Sequence, residues 1–113
     1  MKNAFFALAL IGFIFTGCNK EDDNAVPECI QDKLTSFDEN VACPTGATVK
    51  VYTFQNKEVY VFNPGGCGSD LSTDVMDEGC TSLGVLGGIL GETEIAGVEF
   101  YINAVQKRTI WAN

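Results

Sequence analysis

Four cysteines, Cys29, Cys43, Cys67 and Cys80, lie between residues 28 and 113 of this chain, and their spacing limits its fold more than any other feature. Four cysteines allow three pairings. The gaps of 13, 23 and 12 intervening residues lack the short C-x₂₋₄-C knuckles of a zinc site. Two disulfides are therefore expected, in a domain whose own core is modest. Geometry ranks the pairings. Glu28 to Phe37 (ECIQDKLTSF) sets Ile30, Leu34 and Phe37 on one helical face, Pro27 suits the first turn, and Asn40 is the expected stop. A helix rises about 1.5 Å per residue, so a bridge between its ends exceeds the usual Cα separation of about 4.4–6.8 Å. That disfavours Cys29–Cys43. Thr48 to Phe54 and Glu58 to Asn63 read as two strands around Gln55-Asn56-Lys57. A hairpin centred on Asn56 brings Cys43 and Cys67 to the same open end. The expected bridges are Cys43–Cys67 and Cys29–Cys80.

Side chains alternate along a strand. With a three-residue loop, Val49, Val51, Val59 and Val61 share one face, and Tyr52, Phe54, Tyr60 and Phe62 share the other. A two-residue loop mixes these sets. Four rings on an open face suit sugar or protein binding, but coverage by the C-terminal segment is the expectation. Ser69 to Cys80 reads as a solvated acidic loop, and Leu83 to Gly91 as a compact glycine-rich loop whose Leu and Ile enter the core. Val98 to Val105 suits a short helix or a strand. Thr109-Ile110-Trp111 reads as a closing strand with Trp111 in the core. The expected fold class is α+β: one N-terminal helix packed on a small antiparallel sheet, disulfide-stapled.

The N-terminal residues read as an address. Met1-Lys2-Asn3 is a short basic start, and Ala4 to Phe15 is a stretch without charge. It is shorter than the roughly 20 residues of a membrane span and matches a secretory apolar region. Phe15-Thr16-Gly17-Cys18 resembles the lipobox of bacterial lipoproteins, with Phe15 in place of the usual Leu. The resemblance implies a signal peptide over residues 1–17 and lipidation at Cys18. Each buried CH₂ contributes about 0.8 kcal/mol, and a single acyl chain anchors only marginally, so a multiply acylated Cys18 anchors firmly. Residues 18–27 read as an acidic, disordered tether, and 28–113 as one small globular domain. Lys20-Glu21-Asp22-Asp23 resembles the acidic export signal of surface-exposed Bacteroidota lipoproteins. The expected location is the outer membrane, with surface display favoured over the periplasmic face.

Composition removes several functions. With 15 acidic residues against 7 basic, and a net charge of −8, a nucleic-acid partner is not expected, since phosphate binding needs Lys and Arg. The chain contains no histidine, which removes Ser-His-Asp triads, Cys-His pairs and His-based zinc sites. Asp70, Ser72 and Asp74 mimic the first ligand positions of an EF-hand loop, but Val75 stands where Gly is needed and Thr81 where Glu is needed. Leu83 to Gly91 lacks both the dinucleotide G-x-G-x-x-G frame and a P-loop Lys. Asp74 and Asp77 are the carboxylate pair that acid–base chemistry would use. No cofactor and no metal site are expected.

Glu28-Cys29-Ile30, Val59-Tyr60-Val61-Phe62 before a Gly/Cys/Asp loop, Gly87-Gly88-Ile89-Leu90-Gly91 and Thr109-Ile110-Trp111 together resemble a family of small, uncharacterised Bacteroidota lipoproteins. Glu92-Thr93-Glu94 departs from the Gly-Asp ending expected in many members. The resemblance carries no assigned chemistry. The leading expectation is a non-catalytic interaction or envelope-structural module, attached to the membrane through lipid on Cys18 and meeting an envelope protein or glycan. The alternative is a small binder or inhibitor of exported hydrolases, using the Gly65–Asp74 loop as a preorganised element. An enzyme stands third.

Overall fold

A computed structural model of the chain describes residues 25–113. Helix α1 runs Glu28–Asn40. Pro27 precedes it in an extended conformation, and its carbonyl accepts the first helical bond from the Gln31 N–H at 3.0 Å. Proline has no N–H to leave unsatisfied there. At the other end, the Val41 and Ala42 N–H groups both donate to the Phe37 carbonyl. Ile30 and Phe37 are buried and Leu34 is partly buried beside them, so the expected face is the one that packs. Val26 also packs against this core, inside the segment read as a disordered tether.

Strands β1 (Thr48–Phe54), β2 (Lys57–Asn63), β3 (Ser72–Met76), β4 (Ser82–Gly87) and β7 (Ala104–Ala112) form an antiparallel sheet in the order β4-β3-β2-β1-β7. Strands β5 (Glu94–Ile95) and β6 (Val98–Glu99) form a separate small hairpin, followed by the short helix α2 (Phe100–Asn103).

The β1–β2 register differs from the expected one. Only Gln55 and Asn56 form the turn, with φ of 54° and 66°, the left-handed pair that a tight two-residue hairpin requires. Val49 pairs with Phe62, Val51 with Tyr60, and Tyr52 with Val59. One sheet face therefore carries Val49, Val51, Tyr60 and Phe62 under α1, and the other carries Tyr52, Phe54, Val59 and Val61. The rings are divided between two faces, and both faces are covered. On the α1 side Phe37 meets Phe62 and Trp111 edge-on, with centroids 5.3 and 5.6 Å apart. On the far side Phe100 lies 5.2 Å from Tyr52 and 4.9 Å from Phe54. The C-terminal segment thus covers the two β1 rings as expected, while the helix covers the two on β2.

Two further readings change. The acidic segment after Cys67 is not all loop, because Val75 and Met76 are buried and draw Ser72–Met76 into the sheet beside β2. The glycine-rich segment begins as strand β4, of which Leu86 enters the core. Ile89 and Leu90 do not. Trp111 is half-buried against α1.

The disulfides are Cys29–Cys80 and Cys43–Cys67, with Cα separations of 6.0 and 5.8 Å. The first joins the start of α1 to the β3–β4 turn. The second joins the chain just past its end to the segment after β2. Asn113 ties the C-terminus to the same region: its side chain accepts from the Ala47 N–H at 2.9 Å and donates to the Cys43 carbonyl at 2.8 Å.

Phe37 is the main apolar contact of α1 on the sheet. Phe37→Ala is expected to cost about 3–5 kcal/mol, read as a lower midpoint in guanidinium unfolding monitored by Trp111 fluorescence.

Candidate functional site

The β4–β5 connection holds two apolar side chains in water. Gly87 and Glu92 exchange both backbone bonds, at 2.7 and 3.0 Å, and the Gly91 N–H donates to the Gly88 carbonyl at 3.1 Å. Ile89 and Leu90 are the central residues of that turn, 79% and 80% exposed. Gly87, Gly88 and Gly91 have φ of 73°, 74° and 64°, values that L side chains rarely adopt. The tip is thus set by backbone bonds and glycine geometry, with no packing of its own side chains. Ile89, Leu90 and Val85 form the apolar side of a shallow recess of about 260 Å³, with Asp70 and Glu92 on its rim. Ser72 lines this recess and also a groove of about 150 Å³ beside α1, floored by Phe37, Phe62 and Met76.

The strand leading to the tip is an edge. Successive residues of an antiparallel strand direct their N–H and C=O groups to opposite sides. Gly87 points both groups to Glu92, away from β3. Val85, two residues earlier, points the same way, and among the described residues its N–H and C=O have no partner outside the sheet. Its side chain is 43% exposed.

A second recess, of about 580 Å³, lies at the opposite end of the sheet, lined by Lys57, Glu58, Asp77 and Glu78. Two of its carboxylates hold structure. Asp77 Oδ1 accepts from the Gly79 and Thr81 N–H groups, both at 2.9 Å, and shapes the turn that carries Cys80. Glu58 Oε2 receives Lys107 Nζ at 2.8 Å, with Arg108 Nη1 at 3.9 Å. Nearby Tyr60 is buried, and desolvation raises its hydroxyl pKa above the ordinary 10.0; Glu58 and Glu78 add to that rise and Arg108 opposes it. Burial also raises Tyr52, whose hydroxyl faces Gln106 Oε1 at 3.5 Å. Tyr101 is raised by desolvation and by Tyr52 beside it.

The structure separates the carboxylates singled out in the sequence. Asp74 lines the groove beside α1 and accepts the Ser82 hydroxyl at 2.8 Å, whereas Asp77 lines the other recess. Ser72 and Asp74 belong to an extended strand, which cannot wrap a cation as an EF-hand loop does. Among the described residues no group of three His, Cys, Asp or Glu side chains is placed to hold a metal ion. Among them, too, no helix is long and apolar enough to cross a membrane. Cys29, Cys43, Cys67 and Cys80 are all in bridges. Cys18, Lys20, Glu21, Asp22 and Asp23 lie outside the described residues. The tip residues Ile89 and Leu90, which the sequence places in the core, stand in water. The signal for this placement is their spacing: two aliphatics flanked by glycines that close a hairpin.

Residues 35–113 match the family model of a domain of unknown function, DUF6970. The chain belongs to this family. The match begins inside α1, so it includes Cys43, Cys67 and Cys80 and leaves out Cys29. No curated protein and no solved structure matches the chain.

All three tyrosines of this DUF6970 protein are shifted upward. A raised folded-state pKa means that the stabilisation is fully present below the unfolded value and is lost as pH rises through the folded one. The tyrosine contribution to stability is therefore expected to be lost above about pH 10. The absorbance titration at 295 nm of the native chain should have its midpoint above that of the chain in denaturant.

Proposed function

We propose that this chain is a lipid-anchored outer-membrane lipoprotein of the Bacteroidota type, whose domain is a non-catalytic module that docks a partner through the Ile89–Leu90 tip. The observation that carries the docking role is the built turn. Single exposed aliphatics are ordinary. Two adjacent ones, about four-fifths exposed and fixed by three glycines at positive φ beside exposed Val85, make a presented surface. Burying each against a partner contributes about 1.5–3 kcal/mol.

The lipoprotein reading rests on the resemblance of residues 15–18 to a lipobox and of residues 20–23 to an export signal. The fold is consistent with it. The described chain starts beside Cys80, at the β3–β4 turn, through the Cys29–Cys80 bridge. Gly87, at the base of the tip, pairs with Ser72 at the other end of β3. The 13-residue helix α1 spans the same direction, about 20 Å at 1.5 Å per residue. A lipid on Cys18 would hold the Cys80 end near the bilayer, within about 25 Å for seven residues at full extension. The tip would face away from the membrane.

One observation favours the second reading, a binder of exported hydrolases. The loop after β2 is clamped by Cys43–Cys67, and the Gly65 N–H is held by Asn63 Oδ1 at 2.9 Å, so the loop loses little entropy on binding. Inhibition of a panel of proteases and lysozymes by the full chain would favour that reading over the first.

Cys18→Ala is expected to abolish incorporation of an alkyne fatty acid and to leave the chain at its uncleaved length. Retention of label would overturn the anchor. The double substitution Ile89→Asp with Leu90→Asp is expected to leave stability within about 0.5 kcal/mol of the parent in denaturant titration, as for surface sites away from packing. A large loss would mean that the tip serves the fold.

A further inference from the structure

We infer that the open edge of β4 receives an extended, basic peptide segment as a sixth strand of the sheet, with Ile89 and Leu90 packing on its side chains. The inference rests on the reading of the tip as a docking surface and names the partner's chemistry.

Three observations converge. First, the main-chain groups of Val85 point away from β3 and find no partner outside the sheet among the described residues. An edge of this kind is a template for another strand. Second, the two edges of the sheet are treated differently. The β7 edge carries Lys107 and Arg108, charges that discourage strand addition. The β4 sequence, SLGVLG, has no charge. Third, the surroundings are acidic. Asp70 and Glu92 rim the recess beside the tip, Asp74 bonds Ser82 of β4 itself, and Glu94 is exposed just past Glu92. None of Lys33, Lys50, Lys57, Lys107 or Arg108 lines the recess.

The charge selects the occupant. A second copy would bring the same carboxylates face to face, whereas a Lys- or Arg-bearing strand meets them with opposite sign. The paired length is short. Glu92 already occupies Gly87, and the β3–β4 ladder shifts register between Val75 and Met76. Pairing therefore centres on Val85, and the apolar recess takes one side chain of the incoming strand.

The test uses the full chain as the cell processes it, with a library of random peptides displayed on phage. Selected peptides are expected to be rich in Lys and Arg, to alternate with β-branched residues and to lack proline in the paired stretch. A synthetic selected peptide should bind Val85→Pro about tenfold more weakly than the parent, through the lost edge donor. In the unaltered chain, that peptide should slow hydrogen exchange at the Val85 amide, a readout that stands if the proline variant does not fold. Selection of peptides without excess positive charge would overturn the inference. So would undiminished binding to folded Val85→Pro, or unchanged exchange at Val85. Self-association of the free chain that protects Val85 would overturn it in favour of a second copy. Binding lost in the Ile89→Asp, Leu90→Asp variant but kept in Val85→Pro would leave the docking surface standing and remove strand addition. Absence of any selected peptide would overturn both.

Discussion

The turn at Gln55-Asn56 sets the rest of the architecture. A side-chain period of two means that shifting the register by one residue exchanges the faces of a whole strand. Because two residues close this hairpin, Tyr60 and Phe62 lie on the same face as Val49 and Val51, while Tyr52 and Phe54 lie opposite. Neither face can be left to water. One helix covers the first, and the β5–β6 hairpin with α2 covers the second. The central hairpin is thus buried on both sides, and this explains why a chain this short needs every element it has.

The two disulfides act on the same problem from outside the core. They attach α1 at its start and just beyond its end, to the β3–β4 turn and to the segment after β2. Each closes a loop in the unfolded chain and contributes about 2–4 kcal/mol. Asp77 shapes the turn that presents Cys80, and Asn113 binds the backbone beside Cys43. Asp77, which acid–base chemistry would use, is thereby employed in holding one of these attachments.

The tip obeys a different logic. Ile89 and Leu90 are aliphatic, and hydropathy assigns them to the core. Backbone geometry overrules it, because a turn closed between Gly87 and Glu92 places its central residues outermost whatever their side chains. Glycine at three positions removes the steric cost of the left-handed conformations. The acidic residues around the tip and the uncharged edge beside it give this end of the sheet a character that the β7 edge does not share.

Much of the fold was legible in order. The helix, its apolar face, both strands of the central hairpin and both disulfide pairings follow from local periodicity and from the reach of a chain of known length. What local signals cannot carry is coverage. Ser72–Met76 looks acidic and loop-like, yet it is a strand because Val75 and Met76 find a sheet edge to join. The stretch from Val98 to Val105 suits helix or strand equally, and becomes both because Phe100 must seat between Tyr52 and Phe54. By itself the sequence determined the class of fold, its cross-links and the absence of any histidine-based site, since these depend on residue types and spacing. Only the tertiary structure decided which aromatic faces which side and which aliphatics stay in water. Those outcomes turn on one residue of register and on the φ angles of a few glycines.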